Sequence, residues 1–244
     1  MNPILEKLYE RSPALLQNAA ISLYGLKLYR REYGARFFRL LRQFEQRQYH
    51  TSDQLLDYQN ELLSRLVKHS YEYVPYYRNV MTQRGLRPAD IQTVDDLPKL
   101  PLLTPDIVRT RAHELIADNA ERRQLILGHT SGTTGSPLEF YYDDNTCLVK
   151  NVVDWRQKSI AGIAPFDRVA LFLGRVIVPL SRTNPPYWRF NWTLKQMFLS
   201  SFHLSADTIG LYLDALRQYQ PRAIEGYPST LYIVAKSLLA RGEF

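Results

Sequence analysis

The chain has a single cysteine, Cys147, among its 244 residues. One cysteine cannot form an intramolecular disulfide framework, and it excludes a zinc site built from cysteines. Long apolar runs are also missing, because the richest stretch, residues 169–180, is interrupted by Gly174, Arg175 and Pro179. The first residues lack the cationic and then apolar order of a secretory signal. These absences predict a cytoplasmic protein without an integral membrane segment.

Positive charge is what the chain has in excess, with a net charge of +7 at pH 7. The segment from Lys27 to Arg47 holds seven basic residues against two acidic ones, and its apolar residues recur at helical spacing. Such a basic amphipathic helix can lie on an anionic membrane or hold an acidic polymer. Alternatively, its apolar stripe packs on the core and its arginines face water. We favour packing, and expect this segment to bind anionic vesicles little or not at all. We expect no nucleic-acid partner.

Residues 1–104 are predicted to form a helical N-terminal region that ends in a proline-rich connector. A helix should start at a cap provided by Ser52 or Asp53. It should end before Val74-Pro75, because the residue before a proline avoids the helical conformation. Residues 86–105 contain four prolines and should be irregular, while Thr104-Pro105 is typical of a helix start.

Residues 105–244 are predicted to form an α/β nucleotide-binding domain that is incomplete. Two strand-like runs, 124–128 and 138–142, should pair as a hairpin, and a helix capped by Asp144 or Asn145 should follow. The further predicted strands are 169–173, 175–180 and 222–225, and the further predicted helices start at Asp207 and Ser229. Strands that alternate with helices favour a mostly parallel sheet flanked by helices.

A short loop of hydroxyls and glycines lies between the two strand-like runs of the hairpin: Ser131, Gly132, Thr133, Thr134, Gly135 and Ser136. Glycine permits positive φ, so successive backbone N–H groups can turn toward one point. The hydroxyls add uncharged donors, a set that suits the oxygens of a polyphosphate. The loop is not a Walker A motif, because no lysine follows it. By composition alone, a flexible polar linker explains the segment slightly better.

The order of the residues changes this balance. Ser131 to Pro137 resembles the phosphate-binding loop of the adenylate-forming (AMP-binding) enzymes. Many of these enzymes have lysine after the proline, whereas Leu138 is similar to the branch of phenylacetate-CoA ligases and CapK-type capsular polysaccharide biosynthesis proteins. Five further blocks resemble this branch: Val74 to Arg78, Asp96 to Thr104, Trp155-Arg156, Asp167-Arg168 and Gly226 to Ser229. The match departs at Pro105, where a lysine is common, and runs from about residue 48 to the C-terminus.

The resemblance implies an ATP-dependent acid ligase, which joins a small carboxylic acid to the α-phosphate of ATP and releases pyrophosphate. It leaves open whether CoA then accepts the acyl group. Residues 131–136 would hold the β- and γ-phosphates together with Mg²⁺. The acid would contact Tyr227, Pro228 and Ser229, because ligands of parallel sheets bind at the carboxyl ends of strands. Tyr227 is equally well explained as an aromatic residue packed on the core. No catalytic residue and no metal ligand can be named.

Members of the resembled family continue well beyond the length of this chain. We therefore expect an N-terminal portion without the C-terminal catalytic subdomain, and expect the chain alone not to catalyse adenylation. The alternative is a non-catalytic module that binds nucleotides, or that binds surfaces through its basic helix.

Several other polar residues have a structural explanation that we prefer. Asp143 and Asp144 could be paired carboxylates, but turn and cap roles fit their position better. His129 more readily forms a tethering hydrogen bond than a ligand contact. Arg175 and Arg182 could meet an anionic substrate, but surface positions are favoured. The remaining histidines show no metal-ligand spacing: His50, His69, His113 and His203.

Overall fold

The computed structural model describes residues 3–130 and 137–242. Its helices are α1 (Pro3–Arg11), α2 (Ala14–Glu32), α3 (Ala35–Arg47), α4 (Ser52–Tyr73), α5 (Pro75–Gln83), α6 (Pro105–Thr110), α7 (Asp144–Ile160), α8 (Ile209–Tyr219) and α9 (Pro228–Ala240). Its strands are β1 (Ile126–His129), β2 (Glu139–Tyr142), β3 (Val169–Phe172), β4 (Trp188–Asn191), β5 (Gln196–Leu199) and β6 (Ala223–Gly226). The predicted α/β class is confirmed. No helix in the described ranges is both long and apolar enough to cross a membrane.

The chain forms two compact units. One consists of residues 1–38 and 154–244, and the other of residues 39–153. The predicted boundary at residue 104, between the helical N-terminal region and the α/β domain, stays a prediction.

The first unit contains a four-stranded sheet in the order β4-β5-β3-β6. Strand β3 is parallel to both β5 and β6, while β4 and β5 are antiparallel, so the sheet is mixed and mostly parallel. Side chains of β3 alternate between its two faces. Ala170 and Phe172 pack against Tyr212 and Leu213 of α8, and these four residues belong to the main core of this unit.

The strand predicted at residues 175–180 is wrong, because the chain leaves the sheet there. Gly174 has a φ of +63°, which turns the backbone, and Pro179 cannot donate a ladder hydrogen bond. The sheet instead contains β4 and β5, which were not predicted. The burial of both strands alternates with period two, but in β4 the more buried residues are the polar Arg189 and Asn191, so the sequence does not show this alternation.

Helix α2 covers strand β4 through side chains that bond to the strand's backbone. The backbone N–H of Phe190 donates to Asn18 Oδ1 at 3.0 Å, and that of Trp192 donates to Ser22 Oγ at 3.0 Å. Gly25 permits the close approach, since a Cβ there would collide with the Asn191 side chain. The polar face of α2 therefore lies against the strand.

Arg189 strengthens this attachment from the other side. Its side chain is fully buried and donates to the Gln17 side chain of α2 and to the carbonyl oxygen of Pro186, the latter at 2.9 Å. Burial lowers the pKa of Arg189, and the nearby Tyr9 hydroxyl partly offsets this effect. Neutral acceptors thus satisfy Nε and Nη1 of this buried guanidinium, whereas Nη2 has no hydrogen-bond partner in the described structure.

The second unit is built around α4 and α5, which pack with Val67, Met81 and Ile91 in their shared core. Helix α4 ends at Tyr73, before Val74-Pro75, as predicted. The connector that follows holds two short 3₁₀ turns, Pro88–Asp90 and Val94–Lys99, and is otherwise irregular.

Helix starts confirm the prediction for Thr104 and correct three others. Thr104 Oγ1 accepts from the Ile107 N–H at 3.3 Å, as expected for the cap of α6. The cap of α4 is Thr51 rather than Ser52 or Asp53, because Thr51 and Gln54 form a reciprocal capping box. Asp143, rather than Asp144 or Asn145, accepts from the Thr146 N–H at the start of α7, and α8 starts at Ile209 rather than Asp207.

The basic segment 27–47 forms parts of two helices rather than one, because α2 ends at Glu32 and α3 starts at Ala35. The predicted packing of its apolar stripe is seen at Phe37 and Leu41, which are both buried.

Candidate functional site

Strands β1 and β2 form the predicted hairpin, and they flank the hydroxyl-rich segment in the sequence. His129 pairs with Glu139 in the antiparallel register. Beyond this pair, the Thr130 N–H donates to the Leu138 carbonyl at 3.0 Å, and the Leu138 N–H donates to Thr130 Oγ1 at 2.9 Å. The loop residues themselves, Ser131, Gly132, Thr133, Thr134, Gly135 and Ser136, lie outside the described residues. Their phosphate contacts therefore stay a prediction.

The neck of the hairpin carries one charged pair. His129 Nδ1 lies 3.8 Å from Glu139 Oε1, and both side chains are more than half exposed. The separation is too long for a hydrogen bond. The tethering bond expected for His129 is therefore replaced by a loose cross-strand ion pair, which exists only when the imidazole is protonated.

A cavity of about 590 Å³ lies beside β2 in the second unit. His69 and three carboxylates, Glu121, Glu139 and Asp143, line it, and no lysine or arginine does so among the described residues. Carboxylates repel phosphate, so this cavity does not suit a nucleotide. Asp143 also caps α7, which is the turn-and-cap role that we preferred for it.

The predicted substrate corner lies at the carboxyl ends of two parallel neighbours, β3 and β6, where Phe172 pairs with Gly226. A second cavity, of about 460 Å³, is located there. Six residues line it: Phe172, Leu173, Arg175, Glu225, Gly226 and Tyr227. The Tyr227 residue is 60% exposed, so its ring borders the cavity instead of filling the core.

Helix α9 begins directly after Tyr227, with Pro228 in its first turn and Ser229 exposed. No side chain of the described residues caps this helix. The first N–H groups of a helix lack partners within it, and the helix dipole is positive at this end. The start of α9 therefore offers a place for an anionic group such as a carboxylate.

Two glycines allow the walls of this corner to approach each other. Gly174 has positive φ, and a Cβ there would lie 2.8 Å from the Tyr227 ring. A Cβ at Gly226 would lie 2.8 Å from the Phe172 Cβ and 3.0 Å from its carbonyl oxygen. Any side chain at either position would displace a residue that lines the cavity.

Lys158 of α7 is the charged residue that sequence reasoning missed at this corner. Its Nζ lies 2.9 Å from Glu225 Oε1 and 2.8 Å from Asp154 Oδ2. Burial alone would lower the pKa of Lys158, but the interactions with Asp154 and Glu225 outweigh burial and raise it. Only the pairing with Asp154, four residues earlier on one helix face, could have been read from the sequence.

The two arginines considered at this site separate in the structure. Arg175 is exposed and lines the cavity. Arg182 instead donates from Nε to the Asn184 carbonyl at 2.9 Å and holds its own loop. Of these two arginines, only Arg175 lines the candidate cavity.

A serine and a histidine are paired elsewhere in the first unit. Ser200 Oγ lies 2.7 Å from His203 Nδ1, but Ser200 is fully buried and the His203 ring stacks on Tyr187. A buried hydroxyl cannot reach a substrate, so this pair is structural. Within residues 3–130 and 137–242, no three histidine, cysteine, aspartate or glutamate side chains come together as a metal site.

Two of the sequence blocks that carry the family resemblance have structural roles. Arg78 donates to the Tyr71 carbonyl at 3.2 Å and to that of Glu72, which satisfies the last turn of α4. Asp96 accepts from the backbone N–H groups of Gln92 and Thr93, each at 3.0 Å. Lys99 pairs with Asp96 and, together with these N–H groups, lowers the pKa of its carboxyl. These blocks shape the backbone.

Known proteins resemble this chain both in sequence and in fold, although no family model matches it. It is 23% identical over 239 residues to Protein CapK of Staphylococcus aureus, a match that covers 97% of this chain and 51% of CapK. It is 34% identical over 109 residues to a phenylacetate-coenzyme A ligase of Thermus thermophilus, which covers 44% of this chain and 24% of the ligase. The chain thus spans about half the length of CapK.

Crystal structures of 2-hydroxyisobutyryl-CoA ligase share the fold. The ligase in the postadenylation state, in complex with 2-HIB-AMP, has a TM-score of 0.54 at 16% identity, covering 79% of this chain and 40% of the ligase. An open conformation of the ligase, in complex with 2-HIB-AMP and CoA, has a TM-score of 0.52 at 17% identity, covering 75% of this chain and 43% of the ligase.

Over the part that the chain spans, its fold is that of the 2-hydroxyisobutyryl-CoA ligase structures. Protein CapK and phenylacetate-coenzyme A ligases are among its sequence relatives, and these likenesses together bear out the predicted resemblance to the adenylate-forming superfamily over part of the chain.

Proposed function

We propose that this chain supplies the phosphate-binding and acid-binding elements of an ATP-dependent, AMP-forming acid ligase. Its observed support is the cavity where β3 and β6 end, which is bordered by Tyr227 and by the uncapped start of α9. The relation to phenylacetate-CoA ligases supplies the class of reaction. ATP as substrate favours the cytoplasm as the place of action.

In this proposal, residues 131–136 bind the β- and γ-phosphates of ATP. Two hydrogen bonds join Thr130 and Leu138, the described residues on either side of this segment and of Pro137. Hydroxyl and N–H donors fit phosphate oxygens without adding a competing charge. Mg²⁺ would bind mainly through the phosphates, with a loop hydroxyl as its protein ligand.

The acid substrate binds at the corner of the second cavity. Its carboxylate would meet the first N–H groups of α9 near Ser229, and Arg175 would add positive charge. Phe172, Leu173 and Tyr227 offer an apolar lining for the rest of the acid. These contacts favour an aryl or acyl carboxylic acid over a highly polar one.

The protein's contribution to adenylation would be to position two anions that repel each other. Binding energy from the loop and from the corner holds each reactant in place, which lowers the entropic part of the barrier. Lys158 would stay protonated between the carboxylates of Asp154 and Glu225, and its positive charge would offset theirs beside the acid site. CoA, which the names of the relatives point to, would accept the acyl group.

ATP titration tests the phosphate loop. We expect Thr133→Val together with Thr134→Val to weaken ATP binding by about tenfold, because each change removes a hydroxyl donor. The matched control is Thr82→Val together with Thr110→Val, two exposed threonines outside the loop, which should bind like the wild type. Equal ATP affinity in all three proteins would remove the loop from the proposed site.

A further inference from the structure

Helix α2 has its polar side buried and its apolar side exposed. The buried residues of this helix are Gln17, Ser22, Gly25 and Glu32. On the opposite side, Leu16, Leu23 and Tyr24 are 58%, 69% and 61% exposed. These three residues and Ala20 recur at i, i+4, i+7 and i+8, which is one face of a helix. An ordinary amphipathic helix has the reverse arrangement.

The hydrogen bonds to β4 fix this orientation. Asn18 and Ser22 accept from strand N–H groups, and Gln17 accepts from Arg189. Rotating α2 to bury its leucines would leave these donors without partners in the described structure, which is costly for buried groups. The outward apolar face is therefore a stable property of the first unit.

Positive charge continues along the same outward face. Lys27 and Arg30 follow Leu16 by 11 and 14 positions, so they lie on the same side of the helix, and both are exposed. Exposed Leu8 and Lys7 of α1 repeat the combination of an apolar and a basic side chain. On α2, leucines, a tyrosine and basic residues thus share one face.

We propose that the outward face of α2, formed by Leu16, Leu23, Tyr24, Lys27 and Arg30, binds peripherally to an anionic membrane surface. The leucines would enter the boundary between headgroups and acyl chains, and the basic residues would contact lipid phosphates. Tyrosine suits this boundary, because it has an apolar ring and a polar tip. Lys27 and Arg30 belong to the segment 27–47, so this proposal departs from our expectation that the segment binds anionic vesicles little or not at all.

Charge favours a membrane over a second copy of the chain. A two-fold interface through this face would bury Lys27 and Arg30 of both copies without an acidic partner from this helix, because residues 14–31 contain no aspartate or glutamate. An acidic polymer would neutralise Lys27 and Arg30 but would leave the leucines in water. An anionic bilayer satisfies both kinds of side chain.

Vesicle co-sedimentation of the full chain tests this inference. We expect binding to vesicles of phosphatidylcholine and phosphatidylglycerol in roughly a two-to-one ratio, and little binding to phosphatidylcholine alone. Binding should weaken between about 0.05 M and about 0.5 M salt, because the Debye length shortens. Leu16→Gln with Leu23→Gln should reduce the partition coefficient by about tenfold or more.

The matched control is Leu102→Gln with Leu180→Gln, which changes two leucines that are 88% and 61% exposed away from α2. This control should bind vesicles like the wild type, and circular dichroism should show that both variants are folded. Lys27→Glu with Arg30→Glu should remove the preference for anionic lipid.

Three results would overturn the membrane assignment. The first is no binding of the wild type at low salt, and the second is equal binding by wild type and the Leu16, Leu23 variant. The third is a wild-type protein that does not bind vesicles but forms a concentration-dependent dimer, which the Leu16, Leu23 variant no longer forms. This result would identify a second copy of the chain as the occupant of the face.

Discussion

Lys158 places a single ammonium group between two carboxylates at the edge of the candidate acid site. Its side chain is 17% exposed, whereas those of Asp154 and Glu225 are 50% and 30% exposed. Removing the lysine leaves two negative charges near each other and near the place proposed for an acid. The pair therefore matters both for stability and for the sign of the local potential.

Replacing Lys158 with Met should lower the free energy of unfolding by about 1 to 2 kcal/mol at neutral pH, because a partly buried charge pair is broken. Chemical denaturation measures this difference, and Lys150→Met, an exposed change on the same helix, should be near neutral. The raised pKa of Lys158 means that its contribution is complete below the ordinary lysine pKa. This contribution should disappear as the pH rises through the folded-state pKa of Lys158. A difference in unfolding free energy between the wild type and Lys158→Met that grows with rising pH would contradict this account.

Gly226 tests the tight packing of the corner. Gly226→Ala should destabilise the protein by about 1 to 3 kcal/mol, because its Cβ would collide with Phe172 side-chain and backbone atoms. Gly34→Ala is the matched control, since nothing lies within 4 Å of a Cβ there. Thermal unfolding of the two variants measures the contrast. Similar melting temperatures for both would show that the corner can relax.

At the scale of elements, the start of α4 depends on a cap one residue earlier than its sequence predicts. Thr51→Ala should cost about 1 kcal/mol of unfolding free energy, because the capping box with Gln54 is lost. Ser52→Ala should change little, since Ser52 lies in the first turn. Urea unfolding of both variants decides between the two caps, and a larger loss from Ser52→Ala would favour the cap predicted from the sequence.

Local signals explain which elements could be predicted. Helices α4, α6 and α7 begin within one residue of their predicted starts, because caps and prolines act on neighbouring residues. Strand β4 was missed because Arg189 is typical of an exposed strand, and its buried acceptor on Gln17 lies 172 residues away. The run at 175–180 was wrongly assigned as a strand, because apolar composition does not reveal whether a neighbouring strand is available.

The candidate site shows the same limit. The position of Tyr227 at the end of a strand was readable, because the strand and the helix that follows it are continuous in sequence. The position of Lys158 at the site could not be read from the sequence, because its partner Glu225 lies in a different element and only folding brings the two together.

At the scale of the whole molecule, catalysis depends on both candidate elements acting together. Adenylation needs the α-phosphate and the carboxylate to be fixed against each other, and the described residues show no site that holds both. We expect these 244 residues, purified, to bind ATP weakly and to release no pyrophosphate. Pyrophosphate release with a panel of aryl and acyl acids measures this. Acid-dependent release that scales with the chain would contradict the expectation, whereas ATP binding without release would fit the alternative of a nucleotide-binding module.

The attachment of α2 to β4 has a consequence for how far the chain can be shortened from its N-terminus. Asn18 and Ser22 bond to the backbone of Phe190 in β4, and Ser22 also bonds to the N–H of Trp192 just after the strand; a neighbouring strand could otherwise use these groups. A protein that starts after Glu32 would present these groups to solvent, and unpaired strand edges template the addition of strands from other molecules. We expect such a protein to associate through this sheet edge, which the N-terminal helix covers in the structure.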